Sequence, residues 1–267
     1  MKEQESIIRR HQSNYFESEF LDKSEIPKDG EVEFYMDKIK EIESFSNESK
    51  RFHMLLDHST FLPLYISENM VKETGYTLDY VKNQKLLFLY KTISLQQINL
   101  AAKIHIWGNK MHKLYGKDFS PKTLKTYTCG IKLRDKWGNW RTMIFSQKFL
   151  TFSKKNKPLL SYLEVEEISA FHKSNVAWYR FVLEKNGIKN TKIFFSNGVK
   201  KEADDLFSCR ELEILKLSAK KLNNQEIADQ LEITKNTVER HRKNMLAKTG
   251  VSNMTGLLRV SQIINII

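Results

Sequence analysis

The stretch from Leu206 to Ile267 constrains the fold of this chain more than any other part. Signals for helix starts follow one another within it, each a capping residue placed ahead of an apolar repeat. Their spacing predicts four short helices, of which the third runs from Lys235 to Lys248. The capping residues are Ser208 with Glu211, Asn223 with Glu226 (both capping boxes), then Thr234 and Ser252.

The second and third predicted helices are joined by a tight turn at Glu232-Ile233, which makes a helix-turn-helix. Val238 and Met245 face inward on the third helix, and His241 is interpreted as a packed residue rather than a ligand. The outer arc of the helix then supplies cations for phosphates and polar groups for base edges. We therefore predict double-stranded DNA as a partner.

The same stretch resembles the LuxR-type, or GerE-type, four-helix DNA-binding domain from about residue 204 to 267. The matching residues are Arg210-Glu211, Glu226-Ile227-Ala228, Leu231, Ile233, Thr237-Val238, His241, Lys248 and Gly250-Val251. In this family the third helix enters the major groove, so the resemblance implies that Glu239, Arg240 and Lys243 face bases. The whole set of residues predicted to contact DNA is Thr234, Lys235, Asn236, Thr237, Glu239, Arg240, Arg242, Lys243, Asn244 and Lys248.

Some positions depart from the family pattern. Lys221 replaces the usual glycine after the first helix, which predicts a different turn or a strained lysine. Cys209 stands where proline is common. Met254 and Gly256 replace a polar pair near the start of the fourth helix, which puts its phosphate or dimer contacts in doubt.

The pattern is different between Met54 and Ile168. The run LPLYI predicts an early strand, Ser67 and Thr77 begin short helices, and a longer helix is predicted over Ser94–Tyr115. Three antiparallel strands follow, with Gly138-Asn139 as a two-residue hairpin turn between the first two.

That order of elements, with Gly75-Tyr76-Thr77, resembles a PAS-type sensor domain over about a hundred residues. The predicted fold class is therefore α+β: a PAS-like antiparallel sheet with flanking helices, plus a C-terminal all-α four-helix domain. The predicted domains are an N-terminal helical extension (1–50), a PAS-like sensor (51–195), a linker (196–203) and a helix-turn-helix domain (204–267). Further elements predicted are amphipathic helices on both sides of Pro27-Lys28-Asp29-Gly30 and a hairpin around Asn186-Gly187.

The chain carries 44 Lys and Arg residues against 32 Asp and Glu, a net charge of +12. This excess fits nucleic acid or an anionic membrane surface, although a basic protein without such a partner has the same composition. Cys129 and Cys209 lack metal-ligand spacing and predict reduced thiols in a cytoplasmic protein. Neither a signal peptide nor a membrane span is expected.

Catalytic signatures are missing from the sequence: it has no P-loop, GxSxG, HExxH or kinase pattern, and we predict no enzyme. No cofactor or metal is predicted, and cofactor-binding residues stay unknown. Because PAS-like domains hold haem or flavin, either group, or another small-molecule ligand, stays open for the middle domain. Its histidines and tryptophans are interpreted as core residues first, and they are His105, His112, His172, Trp107, Trp137, Trp140 and Trp178.

The sequence thus predicts a cytoplasmic transcription regulator that binds promoter DNA as a homodimer, on half-sites roughly 34 Å apart. RNA polymerase would be a further partner, recruited or blocked. Three alternatives stay open: a sigma-factor-like polymerase subunit, a cofactor-binding enzyme with a DNA-binding tail, and a dimerisation scaffold. The signal, the operator, and the choice between activator and repressor are not determined.

Overall fold

The structure of the chain is a computed structural model. It describes residues 25–45, 51–60, 62–84, 88, 91–94, 97, 124–155, 157–185, 188–196, 202–203 and 205–267. The first predicted amphipathic helix, before Pro27, lies outside these residues, as does nearly all of the predicted helix Ser94–Tyr115.

The described part of the chain builds one eight-stranded sheet whose strand order is β2-β1-β5-β4-β3-β6-β7-β8. Every pairing between neighbouring strands is antiparallel. The strands are β1 (Arg51–Asp57), β2 (Leu62–Ile66), β3 (Leu124–Arg134), β4 (Trp140–Phe152), β5 (Pro158–Glu167), β6 (Trp178–Lys185), β7 (Ile188–Phe195) and β8 (Glu202–Ala203).

Three helices belong to the part of the described chain before β3: α1 (Asp29–Phe45), α2 (Glu68–Thr74) and α3 (Leu78–Gln84). The Ser67 side chain accepts a hydrogen bond from the Met70 amide and caps α2, as predicted. Gly75 ends that helix with φ +75°, a left-handed conformation that suits glycine. The second N-terminal amphipathic helix is α1, which begins at Asp29.

The α+β class is confirmed, and the early strand, the short helices and the three-stranded meander occur in the predicted order. The PAS likeness itself stays a prediction. The predicted early strand, LPLYI, is β2. Its partner β1 (RFHMLLD) was not predicted from the sequence, and it pairs with both β2 and β5. The strands on both sides of Asn186-Gly187 are also present, as β6 and β7.

The prediction of a two-residue turn at Gly138-Asn139 is wrong. Five residues, 135–139, connect β3 and β4, and only Gly138 among them has positive φ, at +96°. The buried carboxylate of Asp135 holds the loop by accepting hydrogen bonds from the amides of Trp137 and Asn139. A side chain able to satisfy several loop amides makes the longer connection stable.

The C-terminal residues form a four-helix module: α4 (Cys209–Ala219), α5 (Asn224–Gln230), α6 (Lys235–Thr249) and α7 (Met254–Ile263). Both predicted capping boxes are present, and Thr234 caps α6. Gly250 ends α6 with φ +76°. The predicted cap of α7 at Ser252 is wrong, because the Asn253 side chain accepts the bond from the Gly256 amide.

The module and the sheet share one hydrophobic cluster. Sheet residues such as Tyr127, Ile144 and Trp178 lie in the same buried set as Val238 and Leu257 of the module. Within the predicted linker, Glu202–Ala203 forms β8 and pairs with β7. None of the helices in the described part of the chain combines the length and apolarity that a membrane span needs.

A lysine occupies the left-handed position after α4, where the sequence predicted strain. Lys221 has φ +66°; its amide donates to Ser218, and the Leu222 amide donates to Leu217. These two bonds are the Schellman arrangement that normally ends in glycine. The fold therefore forms a turn that glycine usually ends, with a lysine in the left-handed position.

Replacing Lys221 by glycine should raise the free energy of unfolding by about 0.5 kcal/mol. The left-handed conformation costs a lysine roughly 1 kcal/mol, and the greater freedom of glycine in the unfolded chain offsets part of the gain. Urea unfolding of the full chain measures the difference. Lys220→Gly is the matched control: its φ is −78°, so glycine there should lower the midpoint. An unchanged or lower midpoint for Lys221→Gly would contradict the assignment of strain.

Candidate nucleic-acid interface

Helix α6 is held by the two helices before it. Val238 and Met245 are fully buried in the module core, beside Ile214 and Leu215 of α4 and Ile227 of α5. They are seven residues apart, so two turns of one face of α6 are anchored and the opposite face points away from the core. The sequence predicted this orientation from the same two residues.

A buried carboxylate connects the beginning of α4 to the end of α6. Glu211 is almost fully buried and accepts the Ser208 amide in the capping box at the start of α4. Both of its oxygens also accept hydrogen bonds from Lys248 Nζ, at 2.9 and 2.7 Å, near the end of α6. The pair therefore fixes the C-terminal end of α6 against the N-terminal end of α4.

The outward face of α6 is polar and exposed. The predicted contact residues that lie exposed on it are Lys235, Asn236, Glu239, Arg240, Lys243 and Asn244. Within the described chain, neither Arg240 nor Lys243 takes part in an ion pair. Two cations three residues apart on one exposed face lie at the spacing that lets both reach one groove.

Threonines occupy the N-terminal end of α6. The Thr234 hydroxyl accepts the Thr237 amide, and the two hydroxyl oxygens lie 2.9 Å apart. The first turn holds no acidic residue. No acidic side chain of the first turn therefore opposes the positive end of the helix dipole, a setting that favours a phosphate.

Glu239 is the one acidic residue among the predicted contacts. Its Oε1 accepts a hydrogen bond of 3.2 Å from Asn224 Nδ2, at the start of α5. This bond spans the two helices of the helix-turn-helix and leaves the carboxylate exposed. A carboxylate here can accept from a cytosine amino group, while it repels phosphates.

Two residues predicted to contact DNA bind other side chains of the module: Arg242 is half-buried, and Lys248 is exposed but paired. Arg242 Nη2 donates to Ser218 Oγ at 2.8 Å, and burial lowers the pKa of its guanidinium while Glu239 opposes the shift. Lys248 is bound to Glu211, as described above. Both side chains serve the packing of α6 on α4, so we leave them out of the DNA contacts proposed below.

The C-terminal segment matches a known family. Residues 205–261 match the model described as bacterial regulatory proteins, luxR family. The module is a LuxR-family domain. A curated relative, the transcriptional regulatory protein MctR of Rhizobium johnstonii, is 39% identical over 74 residues, which are 25% of this chain and 35% of that protein. The chain thus spans about a third of the length of the curated relative it matches.

Two solved structures cover far more of the chain at lower identity. One is the Vibrio cholerae VqmA dimer in the absence of target DNA, 14% identical over 84% of this chain and 86% of that one, with a TM-score of 0.31. The other is Escherichia coli SdiA, 15% identical over 100% and 98% of the two chains, with a TM-score of 0.26. At these TM-scores neither likeness supports an argument about this chain.

Groups that could hold a metal are not found in the described ranges, where no three His, Cys, Asp or Glu side chains come together. Cys209 is exposed at the start of α4, and Cys129 is buried in the sheet, where desolvation raises the pKa of its thiol.

Replacing Lys248 by alanine should destabilise the LuxR-family module by about 1–2 kcal/mol, because the buried Glu211 carboxylate loses its cation. Lys243→Ala, about one and a half turns from Lys248 and on the exposed face, should change the free energy of unfolding by less than about 0.5 kcal/mol. Thermal or urea unfolding of both variants checks the contrast. Equal stability of the two would show that Lys248 has no structural role.

Proposed function

We propose that this protein is a DNA-binding transcription regulator whose LuxR-family module reads the major groove with helix α6. The observation that carries the proposal is the exposed face of that helix, on which Arg240 and Lys243 lie beside Glu239 without an ion pair to any residue that the structure describes. The buried anchors on the opposite face hold the helix, so its outward side chains are pre-positioned for base edges. We assign the bases to Glu239, Arg240 and Lys243.

Phosphate contacts are assigned to the N-terminal end of α6 and its flank. Thr234 and Thr237 present hydroxyls at the positive end of the helix dipole, and Lys235 and Asn236 extend from the same exposed turn. Asn244 completes the set farther along the helix. These contacts set register and orientation on the duplex, whereas the base contacts choose the sequence.

We infer that the chain binds as a homodimer in the cytoplasm, on half-sites roughly 34 Å apart, since a single short helix reads too few base pairs to be specific. The sheet domain is proposed as the sensor that controls binding, by a small molecule or a protein partner. The net charge of +12 supports association with DNA in general, but it does not select a sequence.

Arg240→Ala and Lys243→Ala should each weaken binding to a site selected from random DNA by roughly 5- to 150-fold, the usual range for a lost base contact. Binding is measured by fluorescence anisotropy at fixed salt with purified chain and no polymerase. Discrimination against base changes should fall at the position that each residue reads.

Lys216→Ala is the matched control, since it removes the same charge from an exposed position on α4 of the same module. It should leave affinity for the selected site within about twofold. If Arg240→Ala and Lys243→Ala bind as tightly and as selectively as wild type, α6 is not the reading helix. If the wild-type chain binds only in the presence of polymerase, the sigma-factor-like alternative gains support.

A further inference from the structure

The LuxR-family module is attached to the sheet through the C-terminal ends of two of its helices. The last carbonyls of a helix have no partner within the helix and need donors from elsewhere. For α6, the Thr249 carbonyl accepts hydrogen bonds from His172 Nε2 at 3.1 Å and from Trp178 Nε1 at 3.4 Å. Both donors belong to the sheet domain, so the reading helix is capped by another part of the chain.

Helix α7 is capped in the same way. Arg180 lies two residues after Trp178, on the same face of β6, and its Nη1 donates to the Ile264 carbonyl at 3.2 Å. A cation at a helix C-terminus is favoured by the helix dipole. Arg180 is 1% exposed; burial lowers the pKa of its guanidinium, while Asp205 opposes the shift.

Two side-chain contacts attach α7 and the residues just after it to the sheet. Arg259 makes a bidentate ion pair with Glu166 of β5, with both N–O distances at 2.7 Å. Asn265 donates to the Tyr127 hydroxyl at 3.0 Å. Neither partner is specified by the LuxR-family pattern, because Glu166 and Tyr127 lie outside the matched residues.

Glycine permits a close approach at the start of α7. A Cβ atom built on Gly256, in the first turn of α7, would lie 2.6 Å from Phe171 Cβ in the loop before β6. No real Cβ tolerates that distance, so the two domains touch where the side chain is missing. The Ser252 amide also donates to the Phe171 carbonyl at 2.8 Å, a backbone bond across the same contact.

The strand that carries the caps also forms part of a polar row on the other face of the sheet. Tyr179, between Trp178 and Arg180, hydrogen-bonds Thr126. The row continues from Thr126 to Gln147 and Ser161 through bonds of 3.2 and 2.9 Å. Since successive strand residues face opposite sides, this row and the two capping residues of β6 lie on opposite faces of the same strand.

We propose that Trp178, Arg180 and Glu166 are positioning residues: they dock the LuxR-family module on the sheet and so fix the direction of the reading helix relative to the sensor domain. This inference rests on the proposed function, and it adds how the sensor domain would control DNA binding. The reading face stays exposed in the docked arrangement, so docking sets the geometry of the helix and does not block it. In a dimer, the distance between reading helices is then set by the sheet domains.

Gly256→Ala tests the proposal in the full chain. Alanine is the better helix former, so α7 keeps its fold, while the new methyl group pushes Phe171 away. Arg259→Glu is a second, independent variant. It replaces the ion pair with Glu166 by two carboxylates that repel each other. In hydrogen–deuterium exchange, both variants should exchange the Ser252 amide about tenfold faster than wild type or more. The Leu257 amide, which donates to Asn253 within the module, should stay as protected as in wild type.

The dependence of DNA binding on half-site spacing is a second measurement, and a purely structural role of this contact would not change it. Inserting about half a helical turn between two selected half-sites should cost the wild-type chain tenfold or more in affinity. The two variants should lose most of that dependence, while their affinity for a single half-site stays within about twofold of wild type. Gly30→Ala is the matched control, since a Cβ there meets nothing within 4 Å, and it should behave as wild type in both assays.

The proposal is overturned if Ser252 exchanges at the wild-type rate in both variants, because the module is then not docked through this surface. It is also overturned if exchange accelerates but the spacing dependence stays, because docking then does not position the reading helix. Failure of the proposed function is a separate result, in which the wild-type chain binds no selected DNA while the exchange comparison still reports docking.

Discussion

The geometry of the LuxR-family module depends on the buried carboxylate of Glu211. One side chain closes the capping box of α4 and receives the cation of Lys248, so the beginning of one helix and the end of another are fixed to the same group. A buried carboxylate needs such partners, because losing them leaves an unpaired charge away from water. The direction of α6, and with it the exposed face proposed to read DNA, follows from this constraint.

Local sequence signals predicted the module well because its rules act over three or four residues. Capping boxes, the left-handed Gly250 and the inward Val238 are readable from short spacings. The side chains of Arg242 and Lys248 were not predictable in this way, because their partners, Ser218 and Glu211, lie more than twenty residues away. A cation on a helix surface looks the same in sequence whether it faces solvent or a distant carboxylate.

The sheet shows the same division between local and distant information. The alternating aromatic strands of the meander were evident from the sequence. Strand β1 was missed because it is defined by its pairing with β2 and with β5, which lies about a hundred residues farther along the chain. Two residues that depart from the family pattern have a clear explanation in the structure. Lys221 is held in a left-handed turn, and Gly256 lies against Phe171 of the other domain. No spacing rule would have placed Phe171 there.

The acidic residue on the reading face has a consequence for how such a protein would find its site. Most of a genome offers the same phosphates and the wrong bases, and cations are attracted to all of it alike. If α6 reads the major groove as proposed, Glu239, whose carboxylate accepts a hydrogen bond from Asn224, would penalise each of those encounters and would be compensated only where a cytosine amino group meets it. A chain with twelve excess positive charges would thereby spend less time on non-target DNA. The ratio of specific to non-specific affinity would then increase more than the affinity for the target site.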